Sequence, residues 1–202
     1  MQQPPFRADH VGSFLRPKFL LDAREQFRNQ EISPEQLREV EDRAIRNIVK
    51  FQEDLGLEGI TDGEYCRTYF HTDFLTQLGG VVTEGGINVS FKTADGPINF
   101  APPVTKVEGK VSHLRSIQGA DFDFLKSITN KTPKVTIPSP TMLHFRGGRK
   151  AISEEAYPEM EGFYSDVAKA YQEELRSLAE RGASYVQLDD TNLAYLCDPK
   201  MR

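Results

Sequence analysis

The 202-residue sequence has no tryptophan and only two cysteines, Cys66 and Cys197. Two cysteines do not make a disulfide framework, so a reduced, cytoplasmic setting is the expected localisation. No run approaches the roughly 18 apolar residues that a membrane span needs, and the start of the chain lacks the apolar core of a secretory signal. The net charge of -5, with acids and bases interspersed, argues against nucleic acid and membrane surfaces as partners.

Several local motifs that bind cofactors or metals are also missing. The sequence contains no P-loop and no G-x-G-x-x-G. It contains no H-x-C, C-x-x-C or H-E-x-x-H spacing, so local motifs predict no closed zinc site and no residue is assigned as a metal ligand. Candidate functional residues are therefore expected at the carboxyl ends of strands, where the loops of an α/β fold converge.

One helix–glycine–strand unit is present between residues 33 and 64. Residues 33–36 offer an N-cap serine, a proline at the first helical position and a glutamine in the capping-box position. Gly56 predicts the end of this helix, and the short strand that follows ends in Asp62 and Glu64. The helical stripe is predicted at Leu37, Val40, Ala44, Ile48, Phe51 and Leu55.

The same pattern recurs near the end of the sequence. A helix predicted over 158–181 ends at Gly182, and a strand over 185–188 leads to Asp189 and Asp190. Further elements are predicted as helices over 18–28 and 121–128 and as strands over 134–137 and near 8–12.

Alternating helices and strands imply parallel strands joined by right-handed crossovers. Residues 81–111 depart from this alternation, because short β-like runs are separated there by glycine and proline, and they predict a β-rich excursion. About four strands of the parallel type are found, whereas a closed (β/α)8 barrel needs eight strands and roughly 250 residues. A small open α/β sheet and the first half of a barrel are both compatible with this pattern.

Two pairs of acids stand at strand ends. A carboxylate of Asp62 or Glu64 could hold the ammonium group of a substrate, or the two acids could cap the next segment or pair with Arg67. Asp189 and Asp190 are adjacent, so their side chains point to opposite faces of a strand. At most one of them can face the place where the loops at the strand ends converge. The alternative for this second pair is an ordinary acidic loop.

A short polar loop over residues 9–13 is the third candidate. Its backbone N–H groups and the hydroxyl of Ser13 could bind an anion such as a carboxylate. Most loops of this kind are only turns, and a lone histidine such as His10 is more often structural than a ligand.

Three blocks, taken in order, resemble the catalytic half of cobalamin-independent methionine synthase and its shorter single-barrel relatives. The blocks are HVGSFLRP at 10–17, residues 52–67 with their DGEYCR end, and VQLDD at 186–190. A weaker block, PSPTML at 138–143, falls between them in the expected order. The resemblance covers nearly the whole chain and implies a TIM barrel, of which residues 1–202 would hold about the first four β/α units as one incomplete domain.

The resemblance implies methyl transfer from 5-methyltetrahydrofolate, in its polyglutamate form, to the sulfur of homocysteine, which gives methionine. Zinc would bind and activate the thiol. The carboxylate of the amino acid would be held by Val11, Gly12 and Ser13, and its ammonium by Glu64 and Asp189. Asp62 would then keep a structural role.

The chain also departs from the family pattern. The family's zinc ligands and its proton-donating histidine come from later strands, so no catalytic residue is assigned and the isolated chain is expected to be an inactive N-terminal half. On the folate side, the Arg-Cys pair expected before Pro102 is missing, Phe145 replaces a stacking tryptophan and Tyr195 replaces a glutamate. A methyltransferase with a non-folate donor is therefore one alternative. A non-catalytic half barrel that self-associates through exposed strand edges is another.

Overall fold

The computed structural model describes residues 9–86, 89–93, 96–100, 103–197 and 199. The helices are α1 (Lys18–Arg28), α2 (Pro34–Asp54), α3 (Thr72–Leu75), α4 (Gly119–Ile128) and α5 (Met160–Glu180). The strands are β1 (Gly59–Ile60), β2 (Gly79–Gly86), β3 (Val89–Thr93), β4 (Gly96–Phe100), β5 (Pro103–Ser112), β6 (Thr132–Pro138) and β7 (Tyr185–Asp189). Short 3-10 turns cover Pro140–Leu143, Gly148–Ala151 and Thr191–Cys197.

Helix α2 begins and ends where local chemistry predicts. The Ser33 hydroxyl accepts a hydrogen bond from the Gln36 N–H at 3.3 Å, and the Gln36 side chain accepts one from the Ser33 N–H at 2.8 Å. This reciprocal capping box satisfies two donors that a helix start otherwise leaves unpaired. At the other end Gly56 takes a φ of 79°, a left-handed conformation that glycine adopts without steric cost, and donates to the Glu53 carbonyl.

The predicted stripe of α2 is confirmed at Ala44, which is buried, and at Val40 and Ile48, which pack against the core, but not at its C-terminal end. Phe51 and Leu55 are 50% and 62% exposed, whereas Ile45 and Val49 are buried. The reason is Gln52, which is fully buried and whose amide bonds both the N–H and the carbonyl of Thr61. A polar side chain thus takes an inward position and rotates the apolar face away from Phe51.

The parallel sheet has the order β1-β6-β7. Strands β1 and β6 pair in parallel, with Gly59 opposite Thr132 and Ile60 opposite Pro133. Among the described residues, the strand predicted near 8–12 does not form, and Ala8 lies outside them. Instead Ser13 makes an isolated parallel bridge to Gly63, because Gly12 takes a φ of 126° that breaks an extended backbone. The architecture is mixed α/β with parallel pairing.

The predicted β-rich excursion is occupied by two nested antiparallel pairs. Strands β2 and β5 pair with Val81 opposite Val107 and Glu84 opposite Val104. Strands β3 and β4 pair within them, from Val89 opposite Phe100 to Thr93 opposite Gly96. The excursion therefore consumes the chain between α3 and α4 without adding a parallel strand in its described part.

The chain divides into two compact units. The first contains residues 1–68, 118–136 and 178–187, and the second contains 69–117, 137–177 and 188–202. The core of the first unit is built from Leu20, Ala44, Ile45, Val49, Ile60, Tyr65 and Leu125. Aromatic contacts mark the interior of the second unit, where the Phe74 and Tyr171 rings lie 5.5 Å apart and the Tyr157 and Phe163 rings 5.6 Å apart. The single incomplete domain stays a prediction.

Within the described part of the chain, no helix is both long enough and apolar enough to cross a membrane.

Candidate functional site

Glu64 lies in an unusual turn directly after β1. Gly63 and Glu64 both adopt left-handed conformations, with φ of 70° and 59°, and the Glu64 side chain is buried. The Glu64 N–H donates to Asp62 Oδ1 at 2.9 Å, and the Gly63 N–H donates to Thr61 Oγ1 at 3.2 Å. Asp62 therefore caps this turn, in agreement with the structural role expected for it.

The Glu64 carboxylate belongs to a buried polar network within the first unit. The Thr136 hydroxyl donates to Glu64 Oε1 at 2.9 Å. Arg67 Nη1 lies 4.0 Å from the same oxygen and donates to Thr136 Oγ1 at 3.3 Å. The second Arg67 nitrogen, Nη2, donates to Gln118 Oε1 at 2.9 Å. The network fixes the carboxylate in place and balances it with a neighbouring cation, as the alternative pairing with Arg67 anticipated.

The polar loop over 9–13 lies beside this carboxylate. The Gly12 carbonyl accepts a 2.6 Å hydrogen bond from Thr61 Oγ1, and the Phe14 N–H donates to the Gly63 carbonyl at 3.1 Å. A Cβ atom added to Gly12 would stand 3.5 Å from Glu64 Oε1 and 2.5 Å from Thr136 Cγ2. Only glycine fits this close approach, so the loop backbone and the Glu64 carboxylate are held within a few ångströms of each other.

Val11 and Ser13 occupy the exposed side of this loop. The Val11 side chain is 68% exposed, and its carbonyl accepts a hydrogen bond from Gln187 Nε2 at 2.8 Å. Ser13 is exposed, and its backbone pairs with Gly63. The structure thus brings three of the predicted site residues, Gly12, Ser13 and Glu64, onto neighbouring backbone.

Lys134 anchors the start of the loop. Its buried Nζ donates to Asp9 Oδ2 at 3.0 Å and to the His10 carbonyl. Burial, and then the Lys134 charge, lower the pKa of His10, which therefore stays neutral near pH 7 and bonds Gln52. This supports the structural interpretation of His10 over a ligand role.

Sequence motifs did not indicate Lys134 and Thr136. Both are polar residues on alternate positions of the otherwise buried strand β6, so their side chains share one face. Polar residues at this spacing in a buried strand are the signal that would have indicated them.

Asp189 and Asp190 lie in the second unit, at the end of β7. The Asp189 carbonyl accepts a hydrogen bond from the Ser139 N–H at 3.0 Å. Asp190 Oδ1 accepts from Thr141 Oγ1 at 3.0 Å, and Asn192 Nδ2 donates to the same hydroxyl at 2.8 Å. Asp190 therefore links the end of β7 to the Pro140–Leu143 turn, and Asp189 stays the predicted substrate-binding acid of this pair.

The two predicted folate-side residues also lie in the second unit. Phe145 is half-buried after the first 3-10 turn, and its N–H donates to the Thr141 carbonyl at 3.0 Å. Tyr195 lies in the 3-10 turn Thr191–Cys197, but its side chain is outside the described part of the structure.

The residues present do not fit a zinc centre. In the described ranges, no three histidine, cysteine or acidic side chains are grouped so that they could hold a metal ion. Burial, followed by the Asp121 and Glu41 charges, raises the pKa of the Cys66 thiol well above its ordinary value. A cysteine binds zinc as a thiolate, so Cys66 is a poor candidate.

Comparison with known proteins identifies the family of this chain. A family model described as the catalytic domain of cobalamin-independent synthase matches residues 6–197. The chain therefore belongs to the family of cobalamin-independent synthase catalytic domains, as the sequence resemblance predicted.

Individual relatives cover this chain but extend beyond it. An uncharacterized Bacillus subtilis protein, YxjH, is 39% identical over 100% of this chain, which corresponds to 52% of its own length. A 5-methyltetrahydropteroyltriglutamate–homocysteine methyltransferase of Thermotoga petrophila is 29% identical over 94% of this chain and 24% of its own length. The chain thus spans about half the length of the Bacillus relative.

Solved structures agree on the fold. A candidate vitamin-B12-independent methionine synthase from Listeria monocytogenes superimposes with a TM-score of 0.79 at 38% identity, covering 98% of this chain and 56% of that one. A B12-independent methionine synthase from Shewanella has a TM-score of 0.61 at 24% identity, covering 84% and 48%. The latter likeness supports the fold alone.

Proposed function

We propose that this chain forms the amino-acid-binding half of a methyltransferase whose complete (β/α)8 barrel transfers a methyl group from 5-methyltetrahydrofolate to the sulfur of homocysteine. The observation that carries the proposal is the buried Glu64 carboxylate beside the glycine loop at Gly12. The Thermotoga relative carries this donor and acceptor in its name, and family membership makes the same reaction the leading candidate for this chain.

An amino acid is a zwitterion and needs opposite partners at its two ends. In the proposal, the N–H groups of the Val11–Ser13 backbone and the Ser13 hydroxyl hold the carboxylate, while Glu64 and Asp189 hold the ammonium. A hydrogen bond to a charged group contributes about 1.5–3 kcal/mol, and burial of the Glu64 carboxylate strengthens it because water screens it less. The preformed network around Glu64 means that little ordering is needed when the ligand binds.

The chemical step needs groups that these residues do not supply. The homocysteine sulfur must be a thiolate to attack a methyl group at neutral pH, and zinc, when bound, provides that activation in the reaction we propose. In this proposal the chain binds and orients the amino acid, and the thiol-activating groups come from another part of the complete barrel. We accordingly expect no methyl transfer by the 202-residue chain alone.

An assay of the purified chain with L-homocysteine, zinc and 5-methyltetrahydrofolate tests this proposal, together with a titration against L-methionine. We expect no methionine above the uncatalysed background, and we expect binding of both amino acids that depends on Glu64. Catalytic turnover by the chain would contradict the half-site interpretation. A folded chain that binds neither amino acid would contradict the amino-acid site.

A non-folate methyl donor is the second candidate. It is favoured by Phe145 and Tyr195, which stand where the family resemblance expects a tryptophan and a glutamate. The matched test exchanges Phe145→Trp and Tyr195→Glu in a protein that contains the complete barrel. A gain of folate-dependent turnover supports the non-folate donor for the native residues, and strict folate dependence before the exchange removes this candidate.

Assembly with another chain is the remaining alternative. In the part of the chain that the structure describes, β1 and β7 are the outer strands of the three-stranded sheet, and outer strands offer unpaired backbone groups. Light scattering decides between the alternatives, because a folded monomer at high concentration contradicts self-association. The two cysteines are free, which is compatible with the cytoplasmic setting proposed for the enzyme.

A further inference from the structure

Two arginines from outside the Glu64 turn bond its backbone carbonyls. Arg16 Nη2 donates to the Glu64 carbonyl at 2.9 Å and to the Arg67 carbonyl at 2.5 Å. Arg24 Nη1 donates to the Arg67 carbonyl at 2.9 Å, and its Nη2 donates to the Tyr65 carbonyl. Three carbonyls of a four-residue turn therefore accept from the guanidinium groups of Arg16, just before α1, and Arg24, within α1.

This arrangement opposes a local preference. Glu64 is a non-glycine residue at a φ of 59°, and such a conformation costs a side-chain-bearing residue free energy unless the surroundings impose it. Arginine suits the task because its rigid fork presents several donors at once, whereas lysine offers a compact charge. The ion pair of Arg24 with Glu41, at 3.2 Å, holds that guanidinium in place.

We propose that Arg16 and Arg24 are positioning residues for the Glu64 carboxylate. By holding the carbonyls of the 64–67 turn, they keep Glu64 left-handed and direct its side chain towards Thr136 and the Gly12 loop. Neither arginine needs to touch the amino acid. This inference deepens the proposed function and rests on Glu64 as the ammonium partner.

A cavity of about 570 Å³ lies beside the two arginines, and its lining distinguishes a positioning role from direct contact with the amino acid. Arg16 and Arg24 line it together with residues of α1 and α2 such as Leu21 and Leu37, but neither Gly12 nor Glu64 does. The guanidinium groups therefore act on the Glu64 turn through its backbone.

The first arm of the test needs no ligand. Melting temperatures of Glu64→Gly and Glu64→Ala are compared in the native background and with Arg24→Lys. With Arg24 present, glycine is expected to be the more stable residue by about 2–4 °C, because it relieves the left-handed strain. With Arg24→Lys the turn relaxes and the difference shrinks towards zero. Arg28→Lys makes the same exchange at an arginine of α1 for which the described structure shows no bond to these carbonyls; it serves as the matched control and keeps the native difference.

The second arm measures ligand discrimination by calorimetry. L-methionine is compared with 4-(methylthio)butanoate, which lacks the ammonium group. Arg24→Lys and Arg16→Lys are expected to weaken L-methionine binding by about tenfold and to leave binding of the analogue unchanged. A general loss of structure would weaken both ligands together.

The two arms separate this inference from the proposed function. An unchanged glycine–alanine difference in the Arg24→Lys background overturns the positioning role, as does equal weakening of methionine and the analogue. A native chain that binds no methionine overturns the proposed function, while the melting-temperature arm still decides whether the arginines set the conformation of Glu64.

Discussion

Glu64 and Asp189 follow the same helix–glycine–strand pattern, yet their surroundings differ. Glu64 is 6% exposed and bonded through its carboxylate to Thr136, and its turn is held by two arginines. Asp189 is half-buried in a strand, and its backbone carbonyl accepts a hydrogen bond from Ser139. Similar sequence patterns thus place one carboxylate in a buried network and the other at a strand end that is less buried.

The difference shows that the position of an acid at a strand end does not fix its energetic importance. A buried carboxylate in a satisfied network binds a cation strongly, because it is already desolvated and ordered. A carboxylate that is less buried interacts through electrostatics that water screens more, and it contributes less. Substitutions at the two acids and at their neighbours should therefore have unequal effects.

Ligand binding should separate the two acids most clearly. We expect Glu64→Gln to weaken L-methionine binding about 100-fold, since it removes a charged hydrogen bond from a buried site. Asp189→Asn should weaken it only a few-fold. Isothermal titration calorimetry on both variants checks this, and equal losses would remove the distinction between the two acids.

Two glycines should differ as well, namely Gly12, which lies beside Glu64, and Gly182, which precedes β7. Gly12→Ala places a Cβ 2.5 Å from Thr136 Cγ2 at a φ of 126°, and we expect it to destabilise the fold by about 2–3 kcal/mol. Gly182→Ala meets only the flexible end of Lys126 at 2.9 Å and should cost about 1 kcal/mol.

Urea unfolding measures both effects. Thr136→Ser provides the matched background, because it deletes Cγ2 and keeps the hydroxyl. In that background Gly12→Ala should lose its clash and keep only its backbone strain. If Gly12→Ala were equally destabilising with and without the Thr136 methyl group, the close approach described for Gly12 would be wrong.

Protonation of His71 at acidic pH should lower the stability of the unit that contains Asp189. Burial, then the charge of Arg146, lowers the pKa of His71 from 6.5 to about 4. Between pH 6.5 and pH 4 the His71 side chain is protonated in the unfolded chain but neutral in the folded chain. The free energy of unfolding is therefore highest above pH 6.5 and falls as the pH drops towards 4.

The expected loss from His71 is about 3 kcal/mol by pH 4. His71→Phe should flatten this part of the stability profile, which denaturant unfolding between pH 7 and pH 4 measures. The pKa of His10, in the unit that contains Glu64, is lowered in the same direction by burial, so some acid sensitivity should remain in the variant. Parallel profiles for the native chain and the variant would contradict the assignment to His71.

The smallest expected effect is on the difference in stability between glycine and alanine variants, which should have opposite signs at positions 64 and 189. At position 64 we expect glycine to be more stable than alanine by about 1 kcal/mol, because the backbone is left-handed there. At position 189, within β7, alanine should be the more stable residue by about 0.5–1 kcal/mol, because glycine loses more conformational freedom in a strand. Thermal unfolding of the four variants measures this, and the same sign at both positions would deny strain at Glu64.

Local sequence signals predicted most of the elements in this chain. The limits of α1 agree with the expected 18–28, and α2 has its capping box at Ser33. The strand near 8–12 could not be anticipated correctly, because Gly12 is kept from extending by Thr61 and Thr136, which are distant in sequence. The stripe of α2 was wrong only at Phe51 and Leu55, because the inward position near them is taken by Gln52, which is satisfied by Thr61 beyond the helix.

The candidate site was predictable in part. Gly12, Ser13 and Glu64 were chosen from strand ends and family resemblance, and the structure places them on neighbouring backbone. Arg16 and Arg24 were not chosen, because their function depends on carbonyls about 40–50 positions away in the sequence. Long-range side-chain-to-backbone bonds of this kind leave no local motif.

The most direct measurement is a crystal structure of the 202-residue chain with L-methionine bound. We predict that the ammonium nitrogen lies within hydrogen-bond distance of the Glu64 carboxylate, with the carboxylate of methionine on the N–H groups of the Gly12–Ser13 backbone. Methionine bound in the opposite orientation, or at a place that does not involve Glu64, would contradict the amino-acid site.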